Sequence, residues 1–390
     1  MDGPMTTHPA MPAATTAAMS AAISAANPAS VTPPPAAAAR GGTPWRAIRI
    51  VVGIAFLCYL PFVLNDRTVL GLRLSNMQLL NIGLTQVNLT LIAILGALSL
   101  TYLTGCAGLI SIGHAAFYAV GAIAAAVTGT QWGWPFPAAL AAAALAGGLA
   151  GVLAGLPSLR VRGLYFVLST FALHFIVVFA MAEYQYKYFD VVGIPIQEAK
   201  LGSFALDHPL RWYFFLLPLV ALVYWGLHNT LRTREGRALT AMRDHELAAT
   251  SAGIDVRILR LKAFAFSSAI AAMAGAVYSY YMTNVTAEFF NINFAIQFIA
   301  MIIIGGMGSL AGAVAGAIVW LMLPAVITGV ATQIGSGGGG VFGKLLTEGK
   351  PQLVNLVFGA LVIGLLIFAP GGFAALGKKI RARWAALRSR

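Results

Sequence analysis

The sequence predicts an all-α, polytopic helical membrane protein with about eight to ten transmembrane helices. Three observations carry this. The 390 residues are 59% hydrophobic and only 9% charged, with a mean hydropathy of +0.82. Soluble domains average about 25% charged residues, so a soluble core is excluded. The apolar residues fall in long runs between short polar joints, as helical spans require and as the short alternating strands of an outer-membrane barrel do not.

Residues 1–40 hold 14 Ala and 7 Pro, with no Lys or Arg before Arg40. No basic start followed by a compact apolar stretch is present there, so a signal peptide is not expected. The composition suits a disordered tail, placed over 1–44. The membrane domain is expected over 45–372, and a basic cytoplasmic tail over 373–390.

The apolar runs follow in order: 48–64, 79–103, 109–128, 136–156, 164–184 and 212–227, then 263–282, 294–305, 310–330 and 353–368. Crossing about 30 Å of hydrocarbon takes about 20 helical residues. Run 294–305 is short for this and is expected to be tilted, broken or re-entrant.

Ten crossings with a cytoplasmic N-terminus put 18 of the 25 Lys and Arg inside. The seven left outside are Arg67, Arg73, Lys187, Lys200, Arg211, Lys344 and Lys350. The positive-inside rule therefore accounts for the net charge of +13, and nucleic acid is not expected as a partner. Cys58 and Cys106 have no metal-binding spacing and read as packing residues.

Glycines at four-residue spacing mark close helix approaches. Gly147, Gly151 and Gly155 read as a packing face. Gly308, Gly312 and Gly316 join the run "IIIGGMGSLAG", which reads equally as packing or as a break beside the translocation path, with Gly305, Gly306 and Gly308 the candidates for the latter.

One segment, 229–262, departs from the apolar pattern. Between Arg232 and Lys262, 11 of 31 residues are charged, against 37 in the whole chain. Residues 237–252 can be drawn as one helix with a partial apolar face of Leu239, Met242, Leu247 and Ala249. Arg243, Asp244 and Glu246 point toward polar surface, Gly253 ends the helix, and Asp255 caps the next. Such a helix is a solvated loop, lies on lipid, or docks into a partner's groove.

Within it, "HELAATSAGI" sets Glu246, Ala248, Ala249 and Gly253 at the spacing Glu-x-Ala-Ala-x-x-x-Gly. This resembles the EAA loop of ABC importer permeases. Three more blocks match in order and spacing: "TGCAGLISIGHAAFYAVGA" from Thr104, "LPSLRVRGLYF" from Leu156, and "IIIGGMGSLAGAVAGA" from Ile302. With "EGRALTAMRDHELAATSAGIDVRILRLKAFAFSSAIAAMAGAVY" from Glu235, they resemble the branched-chain amino acid permeases of ABC importers, LivM type, over residues 79–372. Cys106 stands where relatives often have Tyr, and the N-terminal tail is extra.

The resemblance implies an alternating-access permease subunit in a bacterial inner membrane, with both termini cytoplasmic. It implies a second homologous permease, two cytoplasmic ATPase subunits that bind ATP and Mg, a periplasmic or lipid-anchored binding protein, and surrounding lipid. It implies no cofactor on this chain itself. The substrate would be a branched-chain amino acid, or a small polar solute such as an amide or urea. Arg243, Asp244, Glu246, Ala248, Ala249 and Gly253 become the coupling residues. The Ala pair would fit an ATPase groove, with Glu246 and nearby bases pairing with the ATPase surface. On that reading, Ala249→Trp uncouples transport without disturbing the fold.

Other residues carry weaker signals. Gly338, Gly343 and Lys344 form most of a phosphate loop, but Leu345 stands where Ser or Thr would hold magnesium. Gly113 and His114 belong to the translocation-path candidates, although a histidine hydrogen-bonded to nearby backbone is the simpler reading of His114. His174 lies mid-span, where ionisable groups face cavities or make structural hydrogen bonds. Glu183 is expected to reach water from the outer end of its span. Glu288 lies just outside a span, as solvated loop or as a contact for substrate or binding protein. No His/Cys cluster, His-Glu-x-x-His or nucleophile elbow appears, so neither enzyme nor metal site is expected. The alternative function is a secondary transporter or channel without ATPase partners, working through His174 and Glu183. It leaves the charged segment without a purpose, as would a membrane scaffold.

Overall fold

In a computed structural model of the chain, the described residues are 83–160, 163–189, 193–202 and 204–337, with short pieces between 61 and 73 and between 356 and 375. The expected tail over 1–44, all of the run 48–64 except Pro61, Cys58, the Gly338–Lys344 loop, Lys350 and almost all of the basic tail lie outside the described residues. So does much of the run 353–368.

Ten helices carry the described fold. They are α1 (Leu84–Leu100), α2 (His114–Ala126), α3 (Phe136–Gly155), α4 (Leu164–Phe189), α5 (Pro209–Arg232), α6 (Arg234–Asp244), α7 (Glu246–Ser251), α8 (Val256–Met282), α9 (Ile292–Gly305) and α10 (Leu310–Gly337). Looser π-helical turns prolong α1 over Thr101–Cys106 and α2 over Val127–Gln131. Two-residue strands pair between helices, including Ile194–Pro195 against Asn284–Val285, antiparallel. Six helical stretches are long and apolar enough to cross a membrane: Leu84–Cys106, Phe136–Leu159, Tyr165–Phe189, Pro209–Arg232, Val256–Met282 and Leu310–Gly329. The 14 residues of α9 rise about 21 Å, short of the hydrocarbon thickness.

One boundary is corrected. The apolar run 109–128 becomes helical only at His114. Gly108 has φ +74, a left-handed conformation that leaves the helical path, and the chain from Leu109 to Gly113 is a loop.

Helix α8 sits at the centre, against α3 and α2. Lipid supplies no hydrophobic drive between helices, so close approach of small residues has to hold them. A Cβ on Gly147 would lie 2.7 Å from the Ser268 carbonyl oxygen, and one on Gly151 would lie 2.8 Å from that of Phe264. These glycines are therefore a packing face, with α8 as the partner. Gly312 and Gly316 do the same for α10 against the backbone of Gly305 and Met301 on α9. Gly306 and Gly308, with φ of +102 and +85, form the sharp turn between those two helices. The second glycine set is thus both packing and break, divided by residue.

Buried polar groups stitch the core. The Tyr118 hydroxyl donates to the Ile92 carbonyl at 3.0 Å, and the Ser267 hydroxyl to the Ser99 carbonyl at 2.7 Å. The Asn88 amide donates to the Pro209 carbonyl at 2.8 Å, joining α1 to α5.

Candidate functional site

The charged segment folds as two short helices rather than one. Thr233 caps α6, its hydroxyl accepting from the Gly236 amide at 3.4 Å. His245 then takes extended angles, φ −150 and ψ 97, and interrupts the helix expected over 237–252. Helix α7 starts at Glu246 and runs six residues. Gly253 turns the chain with φ +81, and the Asp255 carboxylate accepts from the amides of Arg257 and Ile258 at 3.0 and 3.2 Å. The expected stop and cap are both present.

The break re-aims the side chains. Leu239, Met242 and Ala249 are buried, as the partial apolar face requires, but Leu247 is 80% exposed. Ala248 is also exposed, whereas Ala249 is only 3% exposed. Successive helical residues differ by about 100°, and here that turn sets the first alanine outward and the second inward. Ala249 is an inward packing residue. A tryptophan there would overfill the core, contrary to the expectation that the fold would be left intact.

Three charged contacts brace this unit against the membrane helices. Arg243 donates through Nη1 to the Gly105 carbonyl at 2.8 Å, at the end of α1. Its other donors hold Asp244 at 2.9 and 3.0 Å. Arg260 on α8 donates through Nη1 to the Ser158 carbonyl at 2.8 Å, beyond the end of α3. Its Nη2 meets the Glu246 carboxylate at 2.6 Å. Lys262 pairs with Glu235 at 2.6 Å, on the exposed side. Glu246 is therefore engaged within the chain, where the resemblance implied a contact with the ATPase surface.

The glycine blocks meet the same unit. A Cβ on Gly108 would lie 2.6 Å from the Arg243 side chain, and one on Gly308 would lie 3.3 Å from Arg243 Nη1. Gly105 abuts the Gly308 backbone. Motifs 200 residues apart in sequence thus converge where α6 ends. A cleft of about 480 Å³ opens beside them, among the Ala107–Ile110 loop, the start of α4, and Met242, Glu246 and Arg260.

The remaining candidates lie elsewhere. His114, buried, shares a 2.7 Å hydrogen bond between Nε2 and the Ser99 hydroxyl of α1. The partner is thus a side chain across a helix interface rather than adjacent backbone, and Nδ1 has no hydrogen bond among the described residues. A Cβ on Gly113 would run into the Thr170 carbonyl, so this glycine lets α2 approach α4. His174, one turn beyond Thr170, is buried, and its Nδ1 has no hydrogen bond among the described residues. Glu183 and Glu288 are exposed, Glu288 on a short 3₁₀ turn between α8 and α9. Sequence reasoning missed the bracing roles of Arg260, Lys262, Ser158 and Gly105. The one available signal was opposite charge in a single run: Glu235 and Glu246 precede Arg260 and Lys262. Among the described residues, no group of three or more His, Cys, Asp or Glu could hold a metal ion.

The arrangement presents an exposed Leu247 and Ala248 on a short helix whose Glu246 is held by Arg260 of α8, next to α6, whose Arg243 is held at the end of α1. Comparison with known proteins agrees with a transport role. The family described as "Branched-chain amino acid transport system / permease component" matches residues 82–366. The chain is 30% identical over 249 residues to the high-affinity branched-chain amino acid transport system permease protein LivM of Escherichia coli (strain K12), covering 57% of this chain and 58% of that protein. It is 29% identical to the Salmonella typhimurium (strain LT2) protein of the same name over the same shares. It is also 30% identical over 164 residues to a probable branched-chain amino acid transport permease protein LivM of Methanocaldococcus jannaschii, covering 41% of this chain and 46% of that one. The matches thus span under two thirds of the curated relatives' length. No solved structure matches.

Proposed function

We propose, for a chain that belongs to the permease components of branched-chain amino acid transport systems, that it is one of two homologous permease subunits of an inner-membrane ABC importer. Its cargo is a branched-chain amino acid or a similar small polar solute, such as an amide or urea. Two cytoplasmic ATPase subunits bind ATP and Mg and drive inward movement, and a periplasmic or lipid-anchored protein delivers the cargo. Both termini face the cytoplasm. This chain carries no catalysis of its own.

One observation carries the coupling role: α7 exposes Leu247 and Ala248 while Glu246 ties it to Arg260 of α8, which also holds Ser158 beyond α3, and Arg243 ties the preceding α6 to the end of α1. A partner that pushes on Leu247 and Ala248 therefore moves α1, α3 and α8 through Arg243, Glu246 and Arg260. Ala249 and Gly253 keep the short helix seated and turned. Two global states with different contacts at this surface are what linkage between ATP and cargo requires. Movement of the Gly305–Gly308 turn, touched by Arg243 and Gly105, would pass the displacement toward the cargo path near Gly113, His114 and His174.

Uptake of radiolabelled L-leucine into vesicles holding the complete assembly tests this. Uptake should require ATP, the ATPase subunits and the binding protein together. Uptake by this chain alone, driven by an ion gradient, would overturn the reading and favour a secondary transporter.

A further inference from the structure

Helix α9 is apolar except at Asn293 and Gln297. Gln297 is the sixth of its 14 residues, so it lies about 8 Å from one end and 12 Å from the other at 1.5 Å per residue. Its side chain is half-buried on the free side of the helix, together with exposed Asn293, Ile296 and Ile303, whereas Phe298 and Ile302 face the core. Other helical amides are bonded across helix interfaces. Gln86 donates to the Leu321 carbonyl at 2.8 Å, and the Gln185 side-chain carbonyl accepts from the Ala287 amide at 2.9 Å. Gln297 makes no hydrogen bond among the described residues. An amide left against hydrocarbon without a partner is strongly disfavoured. The exposed side of α3 has the composition that lipid favours: Leu145, Leu149, Val152 and Leu153, all aliphatic. The free side of α9 differs from it by its amides.

Both ends of α9 are breaks. It follows the 3₁₀ turn Ala287–Phe290 and stops at the Gly306–Gly308 turn, where Gly308 meets Arg243. Short, interrupted helices are where transporters place their cargo contacts. We infer that the free side of α9 lines the cargo path and that Gln297 contacts the cargo, an aliphatic amino acid in its zwitterionic form. The Gln297 amide has two N–H donors for the carboxylate and a carbonyl acceptor for the ammonium, so it serves either end of the zwitterion. It carries no charge, so it holds neither end tightly, and a path must release what it binds. Ile296 and Ile303 offer aliphatic surface to the alkyl chain, and the small Ala300 between them leaves room for it. The Gly306–Gly308 turn joins this helix to Arg243, so displacement of the coupling unit reaches the cargo contact. This rests on the transport role and cargo class proposed above.

The test is thiol labelling in the complete assembly in vesicles, during ATP turnover. Gln297→Cys is treated with a membrane-impermeant methanethiosulfonate bearing a quaternary ammonium, and the added mass is read on the intact chain. Wild type, whose cysteines are Cys58 and Cys106, is the blank. Leu149→Cys, on the aliphatic side of α3, is the lipid-facing control. Position 297 should be labelled and position 149 should not, and L-leucine-loaded binding protein should slow labelling at 297. Gln297→Leu keeps the bulk and removes the amide. Its maximal leucine uptake per assembled complex should fall about two- to tenfold, the worth of one hydrogen bond, with unfolding in mixed micelles unchanged. Absence of labelling at 297, or equal labelling at 149, would overturn the inference. An unlabelled 297 cysteine that forms a disulfide with a second permease chain would assign this side to a subunit interface and overturn it too. So would Gln297→Leu with wild-type uptake and raised stability, which would put the side chain in lipid. Uptake that needs no ATPase would instead overturn the importer reading, while labelling and protection at 297 would still stand.

Discussion

Breaking the Glu246–Arg260 pair should separate the lever from its base. Glu246→Gln keeps the shape and removes the charge. The Arg260 side chain is 10% exposed and that of Glu246 is 26% exposed, at an N–O separation of 2.6 Å. Removing one partner of a fully buried pair costs about 3–5 kcal/mol. An exposed pair contributes about 0.2–1 kcal/mol. At this intermediate burial the loss should be about 2 kcal/mol. Arg260 also holds the Ser158 carbonyl, so Arg260→Gln should cost more than Glu246→Gln. A double-mutant cycle isolates the pair, read as unfolding in mixed detergent micelles alongside ATP hydrolysed per leucine imported. The two changes should couple by at least about 1 kcal/mol, and each should raise the ATP cost of transport. Additivity to within about 0.3–0.5 kcal/mol, the level of independent sites, would refute the bracing argument.

Other consequences follow from single contacts. Ala248→Trp, on the exposed side of α7, should change stability by no more than about 0.5 kcal/mol, yet lower ATPase recovery in a mild-detergent pull-down. Ala249→Trp, at a buried position, should instead lower the yield of folded protein. Gly105→Ala would drive a Cβ into the Gly308 backbone and should cost about 1–3 kcal/mol, whereas Gly226→Ala, inside α5 with open space around it, should melt no lower than wild type. Asp255→Ala removes both cap bonds at the start of α8 and should cost about 0.5–2 kcal/mol, measured by the same unfolding assay.

Hydropathy alone locates every described membrane helix, because a span needs apolar length and little else. Where it errs, at 109–113, the cause is local. Leu109 and Ile110 are as apolar as helix residues, but the positive φ of Gly108 takes the chain off the helical path. The stop at Gly253 and the cap at Asp255 are legible because one residue decides each. The contacts that hold the charged segment against the membrane helices are long-range. Arg243 meets Gly105 across 138 positions, and Arg260 meets Ser158 across 102. No periodicity reports such pairs. The direction of the alanine pair was equally hidden, since the break at His245 resets the helical phase for Ala248 and Ala249. The family resemblance implied a coupling role for the segment without implying that orientation.

The central claim is that α7 meets an ATPase through its exposed side. Photo-crosslinking from a single probe residue at position 248, compared with one at 249, tests it most directly in the assembled complex. The expected result is a strong crosslink to an ATPase subunit from 248 and a weak one or none from 249. Equal crosslinks from both positions, or none from 248 with ATPases present, would contradict it.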